Sequence, residues 1–147
     1  MNKDEHYIDI AIEISNNSKS PYGAIVVKDN QIIGDSSNLP KKNILEHAEY
    51  RAILDAVNKF GNDLTGTTIY CSCEPCVCCF GAIYNTNIKK LVFGATIEDS
   101  AKYIFDENII KIKEINKLST KQLEIVEELH RDKALEILKA KHYKEQN

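Results

Sequence analysis

The stretch SCEPCVCC, residues 72–79, sets four cysteines into eight positions, and Cys71 lies directly before it, so all five thiols of the chain fall within nine residues. They can be read as disulfide partners, a redox pair, buried packing or metal ligands, and the choice decides fold and chemistry together. An odd cysteine count at such tight spacing fits a disulfide framework poorly. The N-terminus, MNKDEHYIDIAIEISNNSKSP (1–21), holds no apolar run long enough for a signal peptide or a membrane span. The chain is therefore expected in the cytoplasm, where thiols stay reduced.

Two overlapping pairs have the C-x-x-C form, Cys73–Cys76 and Cys76–Cys79. Pro75 suits the first position of a helix, because it lacks only an N–H that would be unpaired there. On a helix running through Ala82 and Ile83, Cys76 and Cys79 are i and i+3 and turn their sulfurs to one side. A helix N-terminus also lowers a thiol's pKa, which favours the thiolate that a metal requires. Cys71 and Cys73, on or just past a strand, share one face of a sheet by period 2, and Cys78 points elsewhere on its helix; these three read as packing. The C-x-x-C spacing by itself also fits a redox pair of the thioredoxin kind.

Two thiolates do not complete a zinc site, which needs at least three protein ligands. The third stands upstream in HAE (47–49), at the start of a second helix. His47-Ala-Glu49 followed by Pro75-Cys76-x-x-Cys79 is the H-x-E … P-C-x-x-C arrangement of zinc-dependent nucleobase deaminases, with 27 positions from Glu49 to Cys76. One imidazole and two thiolates favour Zn²⁺ over Mg²⁺ or Ca²⁺, one ion per chain, and leave a coordination position for water, whose pKa the metal lowers. Glu49, two residues from His47, is placed to take the water's proton and pass it to a leaving amine.

The rest of the chain supplies a frame for these two helix starts. At 147 residues it fits a single domain. A hydrophobic share of 43% and a charged share of 28% are those of a globular protein. Lys+Arg 19 against Asp+Glu 22 leaves a net charge of −3, which offers no general footprint for nucleic acid. Residues 4–16 read as a helix; 22–28 and 31–35 as strands joined at the turn Asp29-Asn30; 36–43 as a loop. Helical spacing runs from Glu46 to Phe60 and stops at Gly61. Residues 67–72 and 88–95 read as strands, 109–115 as a weaker strand, and 120–130 and 132–142 as two closing helices. Strands alternating with helices after a hairpin predict an α/β layered domain of about five strands.

On these residues the chain resembles the cytidine deaminase-like superfamily, and within it the bacterial guanine deaminases. PYGAIVVKD (21–29) is similar to that family's first hairpin, ILEHAEYRAI (44–53) to its first zinc helix and YCSCEPCVCCFGAIY (70–84) to its second. The S-C-E-P-C form is more typical of guanine deaminases than of tRNA adenosine deaminases. The resemblance implies a three-layer α/β/α sandwich around a mixed five-stranded sheet. It also implies a homodimer and a C-terminal tail, 116–147, that closes the active site and is exchanged between subunits. By the same resemblance Asn38 holds the purine ring, and the backbone near Ala48 and Ser72 contacts the ring oxygen and the exocyclic amine. In Phe105-Asp106-Glu107 the acids bond the ring, with Glu107 where aspartate is usual. Tyr143 corresponds to the tyrosine near the family's C-terminus.

The expected activity is hydrolytic deamination of a purine-type base, guanine to xanthine and ammonia. Adenosine in tRNA is the nearest rival substrate and would fit the basic tail KALEILKAKHYK (133–144), while the net charge and the SCEPC context speak against it. Cytosine, nucleoside or triazine substrates form a further group. In another class altogether stands a structural-zinc interaction module, which would need a fourth protein ligand such as Cys73 or Cys78 and would leave Glu49 idle.

Overall fold

The computed structural model describes residues 2–104 and 109–146, with side chains as far as Lys141. Helix α1 spans Lys3–Asn17; the Asn2 side chain accepts the Glu5 N–H, satisfying one of the orphan donors of its first turn. Strands β1 (Ala24–Lys28) and β2 (Gln31–Asp35) form the expected hairpin. Asp29 and Asn30 both take positive φ, 48° and 63°, as a type I′ turn requires. A 3₁₀ turn over Ser36–Asn38 leads by a loop to α2 (Ala48–Phe60), which ends at Gly61 with φ 92°. Then follow β3 (Thr68–Cys73), α3 (Val77–Asn85), β4 (Lys90–Ala95), α4 (Ile97–Tyr103), α5 (Ile112–Leu118), β5 (Glu124–Val126) and α6 (Arg131–Gln146).

The strand order is β2-β1-β3-β4-β5. β1 is antiparallel to both β2 and β3, whereas β3–β4 and β4–β5 are parallel, so the sheet is mixed. Alternation along the strands loads both faces: Ala24, Val26, Ile69, Leu91 and Phe93 pack under α2, α3 and α5, and Ile25, Val27, Tyr70 and Val92 pack under α1 and α6. This is the three-layer α/β/α sandwich with five strands. Among the described residues no helix is long and apolar enough to cross a membrane.

α2 approaches β2 closely because Gly34 has no side chain; a Cβ there would run into the Ala52 carbonyl and sit 2.8 Å from the Ala56 methyl. That contact fixes the helix whose first turn carries His47 and Glu49.

Four local expectations change. Residues 109–115 are not a strand: Ile112–Leu118 is helical, with Ile112 buried, and Asn116 clamps the Leu123 backbone by two hydrogen bonds of 2.8 and 3.0 Å. Residues 120–130 are not a helix, and the 116–147 tail is therefore not wholly helical. Glu124–Val126 pairs with Lys90–Val92 and satisfies the backbone edge that β4 would otherwise expose. Three residues are too few for a period-2 pattern to register. Helix α4 was not anticipated, although Thr96 and Asp99 form a reciprocal capping box readable as T-x-x-D. Finally, Cys71 and Cys73 pack into opposite core layers, because β3 ends at Cys73 and alternation lapses there.

Candidate active site

Two helix starts meet at the C-terminal end of the central strand. His47 is the N-cap of α2 and Cys76 the N-cap of α3, which puts Pro75 one residue before the cap instead of at the first helical position. Cys79 lies one turn into α3. The His47 Nδ1 to Cys76 Sγ distance is 3.4 Å, and Cys79 Sγ lies 3.7 Å from both. A tetrahedral Zn²⁺, at about 2.3 Å from sulfur and 2.1 Å from nitrogen, separates its ligand atoms by roughly 3.5–3.8 Å. The three donors are therefore already spaced as the edges of a zinc site, and their chemistry fits that ion. Among the described residues the donor cluster has three members, the number that catalytic zinc uses and closed structural zinc exceeds. Cys73 is packed in the layer across the sheet and Cys78 is exposed, so neither stands as a fourth ligand.

The electrostatics suit metal capture. The hydrogen bond from the Cys79 thiol, with His47 beside it, brings Cys76 down to about 3, so Cys76 is the thiolate. Cys79 keeps its proton, its pKa raised by that same bond and by burial. His47 is raised by its bond to Cys76. Zinc would displace these protons, so binding and proton release are coupled here.

Glu49 sits in the first turn of α2, buried, with Oε2 3.6 Å from Cys79 Sγ. Burial pushes its carboxyl up to about 7, the range in which a side chain both accepts and returns a proton near neutrality.

His47, Glu49 and Cys76 face a cavity of about 500 Å³. Ala48, Ile97, Ser100, Ile104 and Ile110 line it as well. Of the other residues singled out from the sequence, Asn38 and Ser72 are not in the lining. The Asn38 amide donates to Asp55 Oδ2 at 2.9 Å, and Ser72 Oγ accepts the Gly23 N–H at 3.0 Å. Asp106 and Glu107 lie outside the described residues; Tyr143 falls on α6, and its side chain is likewise outside them.

Several lining residues escaped sequence reading. Tyr22, whose hydroxyl is 2.5 Å from Ser100 Oγ, follows Pro21 in a stretch read only as a strand start. Arg51, one turn past His47, donates to the carbonyls of Ser36, Leu39 and Glu46 and so clamps the loop leading into the metal helix. Glu74 stands between two cysteines, where only the thiols carry a ligand spacing. The separation of Tyr22, Arg51 and Glu74 in sequence left no pattern to find.

The family model for the cytidine and deoxycytidylate deaminase zinc-binding region matches residues 1–95. A tRNA-specific adenosine deaminase of Buchnera aphidicola is 37% identical over 128 residues, 82% of this chain and 85% of that protein. A guanine deaminase of Bacillus subtilis is 39% identical over 100 residues, 66% of this chain and 64% of that protein. In structure, the guanine deaminase of Nitrosomonas europaea superposes with a TM-score of 0.82 at 23% identity, covering 97% of this chain and 86% of that one, a likeness of fold.

Proposed function

The chain belongs to the cytidine and deoxycytidylate deaminase zinc-binding family, and on that premise we propose that it hydrolytically deaminates a free purine base, guanine before others. The observation that carries this reading is the cavity over Glu49. Among its lining residues Ile97, Ile104 and Ile110 are apolar, which suits the face of a flat heterocycle.

Bound by His47, Cys76 and Cys79, zinc supplies the Lewis acidity that makes a water acidic near neutral pH. Glu49 accepts that water's proton. The water oxygen bonds to the ring carbon bearing the amine as the ring C=N bond opens onto its nitrogen. Glu49 hands its proton to the leaving amine, the C–N bond breaks to release ammonia, and the hydroxyl's remaining proton passes to the ring nitrogen as the carbonyl forms. For guanine the product is xanthine. Asn38, Ser72, Asp106, Glu107 and Tyr143 are carried as substrate-side residues by resemblance alone.

Guanine offers N–H donors at N1 and at its 2-amino group, which an acid such as Glu107 can accept. Adenine lacks the N1–H and would leave that carboxylate unpaired, at a cost of about 1–3 kcal/mol or more. Ammonia release is therefore expected to be faster from guanine than from adenine, and Glu107→Gln to weaken it more than Asp106→Asn. A second reading rests on the well-covered likeness to tRNA-specific adenosine deaminase. Assays over guanine, adenine, cytosine, their nucleosides and tRNA separate the two: turnover of tRNA or a nucleoside with none of guanine sinks the guanine assignment and leaves the family intact.

Ile44 and Val77, 79% and 42% exposed, line the cavity, and exposed Leu45 and Ile109 adjoin the lining residues Ile44 and Ile110 along the chain. Such a patch is consistent with a homodimer that covers it. Light scattering is expected to give twice the chain mass; a monomer at micromolar concentration would reject the dimer.

A further inference from the structure

Glu74 borders two cavities at once: the one over Glu49, and a polar one of about 380 Å³ lined by Thr96, Lys111, Ile112 and Arg131. It is two residues from Cys76 yet is no member of the donor cluster. Its side chain instead bonds two backbone N–H groups. Oε1 accepts the Ile97 N–H at 3.1 Å and Oε2 accepts the Ile112 N–H at 2.8 Å, while its own N–H donates to the Ala95 carbonyl at 2.8 Å. Ile97 and Ile112 are the first residues of α4 and α5, so both bonds satisfy N–H groups that have no partner within their own helices. One carboxylate thus joins three segments: the loop that carries Cys76, the start of α4 and the start of α5.

The segments held in this way line the cavity: Ile97 is the first anchored residue, Ser100 and Ile104 follow it, and Ile110 precedes the second anchor, Ile112. We propose that Glu74 is a positioning residue for the substrate, setting the distance between the Cys76 loop and the wall formed by Ile97, Ser100, Ile104 and Ile110. This rests on the deaminase reading of the site. Only a carboxylate serves both anchors, since it offers two acceptor oxygens. A glutamine in its place keeps one acceptor and turns an amide N–H toward the second backbone N–H, and aspartate is one methylene too short to reach both.

The wall contacts the ring in the bound and reacting states alike, so loosening it removes uniform binding and raises KM more than it lowers kcat. Glu74→Gln is expected to keep zinc at the level of the unaltered protein and its circular dichroism, to raise KM for the best substrate by about tenfold with kcat within about threefold, and to speed amide hydrogen exchange at Ile97 and Ile112. A purely structural role would instead shrink the active fraction, lowering kcat at constant KM. Glu74→Asp is the second variant and is expected to raise KM as well and to speed exchange at one or both amides. An unchanged KM with fast exchange at both amides overturns the proposal, as does unchanged exchange or loss of zinc. If no amine substrate reacts with the unaltered protein, the deaminase reading fails, while the exchange data still decide whether Glu74 holds the wall.

Discussion

Glu49→Gln is expected to bind zinc as before and to lose turnover by at least about two orders of magnitude, the usual scale for a general acid–base group. The substitution keeps the volume and removes the one function the mechanism demands. A carboxylate takes a proton from water and gives it up again; an amide does neither near neutral pH. Glu49 is 5% exposed and its carboxyl is pushed up to about 7 by burial, so replacing it with a neutral isostere relieves a desolvation cost and leaves the fold intact. Its oxygens stand outside the donor cluster, so metal content is not expected to follow the charge. The check is paired: elemental analysis for zinc, and ammonia release under saturating substrate. A variant with full zinc and near-normal turnover would remove Glu49 from the mechanism.

Cys76→Ser carries the other large effect, loss of the metal and of activity with it. Cys76 supplies the thiolate, at about 3, that the Cys79 hydrogen bond and His47 stabilise. A serine hydroxyl at the same place is not ionised and is a poor ligand beside an imidazole and a thiol. Serine is also a good N-cap, so α3 loses no start signal and the result reports on the metal, not on the helix. Cys73→Ser and Cys78→Ser are the controls. Cys73 is packed beneath the opposite layer and Cys78 is exposed, so both variants are expected to retain zinc, Cys73→Ser with some loss of stability. Because structural order at the site is coupled to ion binding, a chelator is expected to lower the melting temperature of the unaltered protein and to leave that of Cys76→Ser unmoved. Zinc loss in Cys73→Ser with retention in Cys79→Ser would show that the other C-x-x-C pair, Cys73–Cys76, holds the ion.

The sequence by itself determined which donors stand at the floor of the site. His47, Glu49, Cys76 and Cys79 lie in two short runs, each at a helix start, and a helix start orders the side chains within its own run; that the two runs belong together was read from the H-x-E … P-C-x-x-C signature. The hairpin at Asp29-Asn30 was legible for the same reason, since positive φ at both positions follows from residue type. What lies across the cavity was not local. Residues 109–115 alternate like a strand, yet Ile112–Leu118 is helical, with its first N–H on Glu74 and its Asn116 clamped to Leu123. Residues 124–126 form a strand only because β4 presents an unpaired edge, and no property of three residues announces that partner. Tyr22, Arg51, Glu74 and Ser100 reach the cavity from two loops and two helices whose spacing in the chain carries no period. Ligand identity is a property of neighbours along the chain, whereas the substrate's wall is made by hydrogen bonds between segments distant in sequence, and only the folded chain decides those.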